Sequence, residues 1–287
     1  MWLLWSLGNA FMQSLGDALS KNASKHFDEY ILGWAGRFFS LILLIPLALT
    51  FGKDANPDKI FWYATLGSAA INSITTILYI RAIKNSELSI VLPIVTLSPV
   101  FLIITSPIIN REFPSFIGIV GVLISVLGTY FLNFSKWRQG ILHPFIALWN
   151  EKGARDMLIV AMLWSISAPL DKLAVTHSNP YFYVATVNAL IAFVFILILY
   201  AKKQTVFTSS GIFKKLAPLG MLYGLSITFQ MIAFSLTLVP YAISVKRISS
   251  FFGIIWGKLF FGETKLKDRL VGSIIIIVGA TIIVFAQ

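Results

Sequence analysis

An internal repeat limits what this chain can fold into more than any other feature. A shift of 151 residues lays Ser98 to Phe134 over Ser249 to Phe285 without a gap. Glu112 falls on Glu263, Gly121 on Gly272 and Gly128 on Gly279, with Ser98 on Ser249 and Val120 on Val271. Apolar segments match one another easily, whereas a glutamate and two glycines in fixed register are a repeat signal. Apolar the segments are: 57% of the residues are hydrophobic and 12% charged, against about a quarter charged in a soluble domain.

A membrane-crossing helix needs about 20 mostly apolar residues. Ten segments qualify, near 2–20, 30–51, 60–80, 88–109, 114–134, 157–175, 181–201, 216–238, 241–262 and 268–286. The first, "MWLLWSLGNAFMQSLGDALS", lacks a basic leader and a small-residue cleavage site, so it reads as a span. Short connections favour antiparallel neighbours in a compact bundle. The longest, 135–156, contains an apolar stretch too short to cross and is expected to form an interfacial helix. The expected fold is therefore an all-α integral membrane protein with ten transmembrane helices. A first repeat occupies 1–134, a linker 135–156 and a second repeat 157–287. Each repeat holds five spans, an odd number, so the two must lie inverted in the membrane. Inverted repeats recur in secondary transporters, with the binding site where the repeats meet.

Two stretches, "SPVFLIITSPIINREFPSFIGIVGVLISVLGTY" and "SVKRISSFFGIIWGKLFFGETKLKDRLVGSIIIIVGA", carry a family resemblance. Ser98–Pro99, Glu112, the "FFGE" ending at Glu263, Arg37–Phe38 and Asp171–Lys172 belong to it. The repeat resembles the EamA domain of the drug/metabolite transporter superfamily, and two copies cover nearly the whole chain. The resemblance implies a ten-helix basket around a central cavity, moving small metabolites. It implies no particular substrate. Ser250 stands where a proline would match Pro99, so the second half is expected to be less broken there.

Ionisable residues within spans are expensive and face a bundle interior or water, unless they lie near a helix end and snorkel. Asp17, Arg37, Asp171, Lys172, Lys246, Arg247 and Lys258 are the residues concerned. Arg37 lies deep in the second span, and the shift places it on Asn188, so both repeats put a polar group at one internal position. Asn9, Gln13 and Asp17 share one helical face, suited to a cavity or to helix–helix hydrogen bonds. Asn72, Gln230 and Trp164 complete the candidate lining, each with packing as its plainer role. Lys246 and Arg247 are consecutive and point about 100° apart, while the shift places them on Val95 and Thr96. The pair thus breaks the pseudo-symmetry. Pro93, Pro99 and Pro107 should interrupt the fourth span, making Pro93 and Pro99 candidate gate positions. Asp17 or Asp171 is the candidate carrier of a coupling proton. The glycines, including Gly253 and Gly257, suit close helix packing, with a homodimer face as the second reading.

No cysteine is present, which excludes disulfides and thiolate chemistry. His26, His143 and His177 are scattered, so no metal site is expected. No phosphate loop and no nucleophile elbow occur; neither an enzyme nor a cofactor is expected. The net charge of +11 suits an anionic lipid surface rather than nucleic acid. Loops after odd-numbered spans carry 14 Lys and Arg against 3 after even ones, which puts both termini outside; the resemblance implies termini inside. The function expected is a secondary transporter in the plasma (inner) membrane. Its substrate would be a small polar or amphipathic metabolite of amino-acid or organic-anion type. The alternatives are a non-transporting scaffold or assembly partner, and a translocator of lipid head groups or lipid-linked sugars.

Overall fold

The computed structural model describes residues 1–23, 27–86, 94–131, 146, 151–203, 212–261 and 267–286. Pro93, Glu263 and most of 135–156, with its expected interfacial helix, lie outside the described residues. The described elements are α-helices: α1 Trp2–Ala23, α2 Glu29–Phe51, α3 Lys59–Asn85, α4 Ser98–Asn110, α5 Phe116–Phe131, α6 Lys152–Thr176, α7 Pro180–Ala201, α8 Ile212–Leu236, α9 Val239–Lys246, α10 Ser249–Phe261 and α11 Lys267–Phe285. Four stretches, Tyr30–Phe51, Lys152–Thr176, Pro180–Ala201 and Leu216–Leu236, are long and apolar enough to cross a membrane, and Ser98–Asn110, Phe116–Phe131 and Val271–Phe285 are shorter apolar helices.

Helix starts follow the local sequence. Asp28 accepts a hydrogen bond from the Tyr30 amide at 2.9 Å, and Asn179 accepts one from the Tyr181 amide at 2.8 Å. Each satisfies a donor that the first turn leaves open. The 151-residue shift carries one cap onto the other. Asp58 caps α3 in the same way through the Phe61 amide.

The outside of the bundle is apolar, and polar side chains are buried within it. Large apolar side chains such as Leu49, Tyr63, Ile108 and Tyr200 are exposed on the outside, whereas Ser40, Thr65, Thr75, Asn188 and Ser244 are fully buried. An apolar exterior of this kind suits lipid. The main apolar core gathers Phe39, Leu44, Phe61, Val184, Phe195 and Phe234 from α2, α3, α7 and α8.

The two halves interlock rather than sit side by side. The extensive packing joins α5 to α11, α3 to α6, α1 to α8, α2 to α8, α2 to α7 and α3 to α7. Under the shift α1, α2, α3 and α5 become α6, α7, α8 and α11. The α3–α6 contact then exchanges with α8–α1, and α2–α8 with α7–α3, while α2–α7 and α5–α11 map onto themselves. That is the contact pattern of a pseudo-twofold axis. Helices joined by short loops, such as α6 and α7, share less packing; a short loop brings ends together without aligning the faces.

The α5–α11 crossing is built on glycine. A methyl group on Gly121 would lie 2.9 Å from the Gly279 carbonyl oxygen, and one on Gly128 would lie 2.8 Å from that of Gly272. Gly121 sits beside Gly279 and Gly128 beside Gly272, so the two matched helices run antiparallel where they touch. Backbones this close tolerate no side chain.

The expectation about the second-half break is corrected by the structure. The ninth segment is two helices, α9 and α10, separated at Arg247–Ile248. There Ile248 donates to the Val245 carbonyl at 3.0 Å and Phe251 to the Ile248 carbonyl at 2.9 Å. In the first half Leu97 donates to Ile94 at 3.1 Å and Val100 to Leu97 at 2.9 Å. The shift makes these the same two three-residue turns. Proline is therefore not the cause, because tightened turns form with Ser250 as well as with Pro99. Pro99 occupies the first turn of α4, where a missing donor costs nothing. Pro107 does not end α4 either, which runs on to Asn110.

Candidate functional site

Asn9, Gln13 and Asp17 are spaced one turn apart, and Ser226 and Gln230 are spaced likewise on α8. The α1–α8 packing brings the two faces together. Asn9 donates to Gln230 Oε1 at 3.2 Å, and the Ser226 hydroxyl donates to Asn9 Oδ1 at 2.7 Å, with Gln13 Oε1 3.4 Å away. Gln13 in turn donates to Asp17 at 3.1 Å. Lys246, the last residue of α9, donates to Gln230 Oε1 at 2.7 Å. One run of hydrogen bonds thus links α1, α8 and α9.

Arg37 and Asn188 meet directly. The guanidinium donates to Asn188 Oδ1 at 3.1 Å and to the Tyr223 hydroxyl, and its carbon lies 4.5 Å above the Tyr223 ring. Residues related by the shift can touch only near the axis that relates them, so Arg37 marks its position. Beside it there is open space. Gly36 stands one turn before Phe39 and Ser40, which are 2% and 0% exposed, yet a methyl group there would meet nothing within 4 Å.

Arg247, in the α9–α10 break, donates to Ser98 Oγ at 2.7 Å and lies 3.5 Å from the Val95 carbonyl. Lys246 and Arg247 therefore engage different neighbours, as their angular separation on a helix requires. The Val95 carbonyl lacks its usual helical donor because the residue four positions on, Pro99, has no N–H.

Asp171 and Asn72 form a separate cluster on α6, α3 and α7. The Ser68 and Tyr183 hydroxyls both donate to Asp171 Oδ1, the second at 2.5 Å. Asn72 donates to the Ser68 carbonyl and hydroxyl, each at 3.0 Å. Trp164 donates to Thr75 Oγ1 at 3.1 Å and leans on Tyr79, ring centroids 5.4 Å apart. The shift carries Trp164–Thr75 onto Gln13–Ser226, so one inter-repeat contact is made twice with different chemistry.

These groups act on one another electrically. Lys246 and Arg247 are consecutive at the α9–α10 break, and Arg37, Asp17 and Asp171 are the other charged groups of these clusters. By formal charge these are three cations and two carboxylates, of which Asp171 is buried and Asp17 exposed.

A further contact, which single residues in the sequence do not reveal, joins the repeats. Lys172 ion-pairs with Glu112 and donates to the Thr237 carbonyl at 2.6 Å. Glu112 also accepts from Ser106 at 2.9 Å and from the Val239 amide at 3.2 Å. A carboxylate at the start of α9 satisfies an open donor and suits the helix dipole. Glu112 thus ties the end of α4 to α6 and α9. Next to it an open cleft of about 470 Å³ is lined by Phe113, Lys172, Thr237, Leu238 and Tyr241 among others. The repeat gave one signal, since Glu112 recurs as Glu263. Tyr223 had another, because the shift places it on Asn72. Tyr183 and Ser68 had none.

The family model described as EamA-like transporter family matches residues 1–134 and 153–285. A search of curated proteins by sequence finds no match. A solved structure described as "Crystal structure of protein" is similar in fold, with a TM-score of 0.74 at 14% identity over 98% of this chain and 95% of that one. At that identity the likeness speaks for the fold alone. The family match covers two copies and nearly the whole length, on a chain whose outer surface carries large apolar side chains and whose interior encloses polar and charged groups. This multi-pass membrane protein therefore belongs to the EamA-like transporter family.

Proposed function

We propose that the chain is a ten-span secondary transporter of the plasma membrane, working by alternating access between two inverted five-helix repeats. Its substrate is a small polar or amphipathic metabolite carrying an anionic group, of amino-acid or organic-acid type. The carrying observation is the position of the charge. Arg37 sits at the inter-repeat axis with open space beside it, and Lys246 and Arg247 stand in the broken α9–α10 element. An anion received there replaces water with fixed donors and cations. The antiparallel α5–α11 crossing supports inversion.

Alternation needs a closure at each end of the path. The Glu112–Lys172 pair links the two repeats and serves as the closure at the end where α4 meets α9. The sequence carries the same residue types at the shifted positions, Glu263 and Lys21. Asn9, Gln13, Asn72, Trp164, Asn188 and Gln230 orient the solute, and Asp17 and Asp171 are the candidates for a coupling proton.

Metabolite profiling of medium and cytoplasm, with and without expression, tests this reading. At least one small anion should change its distribution, and Arg37→Ala and Lys246→Ala should each abolish the change at equal protein level. Unchanged distributions would point to a scaffold instead, and a change that survives both substitutions would remove the cations from the mechanism.

A further inference from the structure

Asp171 differs from the other central charges in what surrounds it. It is 8% exposed, and among the described residues no cation lies within ion-pair distance of it. Both of its hydrogen bonds, from Ser68 on α3 and Tyr183 on α7, end on Oδ1. Among the described residues Oδ2 has no hydrogen-bond partner, yet it is not one of the sealed, unsatisfied atoms. One oxygen is therefore fixed by two hydroxyls, and the other is neither bonded nor sealed.

We propose that Asp171 Oδ2 is a proton-binding site whose loading is coupled to occupancy of the neighbouring cations by an anionic solute. This rests on the cavity proposed above and deepens it, choosing Asp171 over Asp17. Burial without a counter-ion disfavours the carboxylate. The two hydroxyls favour it, and Arg37 on α2 is held to Asn188 on α7, little more than one turn along from the Tyr183 that bonds Asp171. Tyr223 on α8 is engaged by Arg37, while Lys172 on the helix of Asp171 is committed to Glu112. The two forms are thus held in opposition, and the positive field is the adjustable part.

An anion bound at Arg37 and Lys246 cancels that field, and Oδ2 then takes a proton from water. When the solute leaves, the field returns and the proton goes back to water on the side then open. No other bond changes. Linkage is reciprocal, so protonation strengthens anion binding by the factor that the anion strengthens protonation. Solute and proton move in the same direction. Asp17 is less suited, because it is exposed whereas Asp171 is buried.

Infrared difference spectroscopy of the reconstituted protein, titrated across about pH 4 to 9, reads this directly through the carboxylic-acid carbonyl band. A reversible band should appear in the parent and in Asp17→Asn, shift in frequency in Tyr183→Phe, and vanish in Asp171→Asn. Sulfate, which does not titrate in this range, serves as the probe anion. It should enlarge the parent's band at a fixed pH and leave the band of Arg37→Ala/Lys246→Ala unchanged. A band that persists in Asp171→Asn, or one lost only in Asp17→Asn, overturns the proton site. A band that titrates at Asp171 but ignores sulfate overturns the coupling and counts against the anion reading, while the proton site stands. Tyr183→Phe keeps the test decisive if Asp171→Asn fails to fold, since an unshifted band there would contradict the assignment.

Discussion

At the scale of single residues, the structure separates groups that hold the fold from groups that face open space. Gly36 has no neighbour where a side chain would begin. Gly36→Leu should therefore leave the thermal midpoint unchanged or raised, since glycine inside a helix costs about 0.5–1 kcal/mol relative to alanine. It should also cut transport at least about tenfold by filling the space beside Arg37, a barrier change of about 1.4 kcal/mol. Vesicle flux measured alongside unfolding separates the two effects. Asp58 is the opposite case, an exposed cap outside the spans. The Phe61 amide, and after it the His177 ring 2.8 Å away, hold its carboxyl below the usual carboxylate range. A depressed carboxyl contributes stability above its unfolded value and loses it as pH falls through the folded one. Asp58→Ala should therefore lower the midpoint at neutral pH, with the difference from the parent shrinking under acid. A difference independent of pH would contradict the cap.

Between elements, two of the contacts that join the halves fail in different ways. Glu112 serves Lys172, Ser106 and the α9 amide together. Glu112→Gln leaves a cation that is 13% exposed without its counter-charge and should cost about 3 kcal/mol. Lys172→Gln should cost less, because Glu112 keeps the other two partners, and the double variant should be no worse than Glu112→Gln alone. Additive losses in thermal unfolding would show that the contacts are independent. Gly128 has no such alternatives: a methyl group there would meet the Ile276 amide nitrogen at 2.6 Å and the Gly272 carbonyl oxygen at 2.8 Å. Both are backbone atoms and cannot turn aside. Gly128→Ala should destabilise by about 1–3 kcal/mol through overpacking, measurable as a lowered midpoint in detergent.

For the whole molecule, the 151-residue period carried most of what the sequence could reveal. It paired Arg37 with Asn188 before any coordinates, and those residues are in contact. It matched the glycines, which meet crosswise at the α5–α11 crossing. It did not reveal which helices would pack, because short loops suggested neighbours while the faces chose partners in the other repeat. Nor did it locate the second break, which depends on turn geometry shared by both halves and not on proline. Lys172 and Glu112 are 60 residues apart in sequence, and Tyr183 reaches Asp171 from another helix. Pairs of that kind follow from tertiary packing, which no local pattern encodes.

The central claim is that the interior between the repeats lies on a path open to each side in turn. Ser226, 3% exposed and bonded to Asn9 and Gln13, sits within that interior. The chain contains no cysteine, so Ser226→Cys supplies a single thiol of nearly unchanged shape. Labelling it with a membrane-impermeant reagent, applied from one side of sealed vesicles and then from the other, tests the claim most directly. Reaction from both sides is the result expected of alternating access. Reaction from one side only, or from neither, would contradict it.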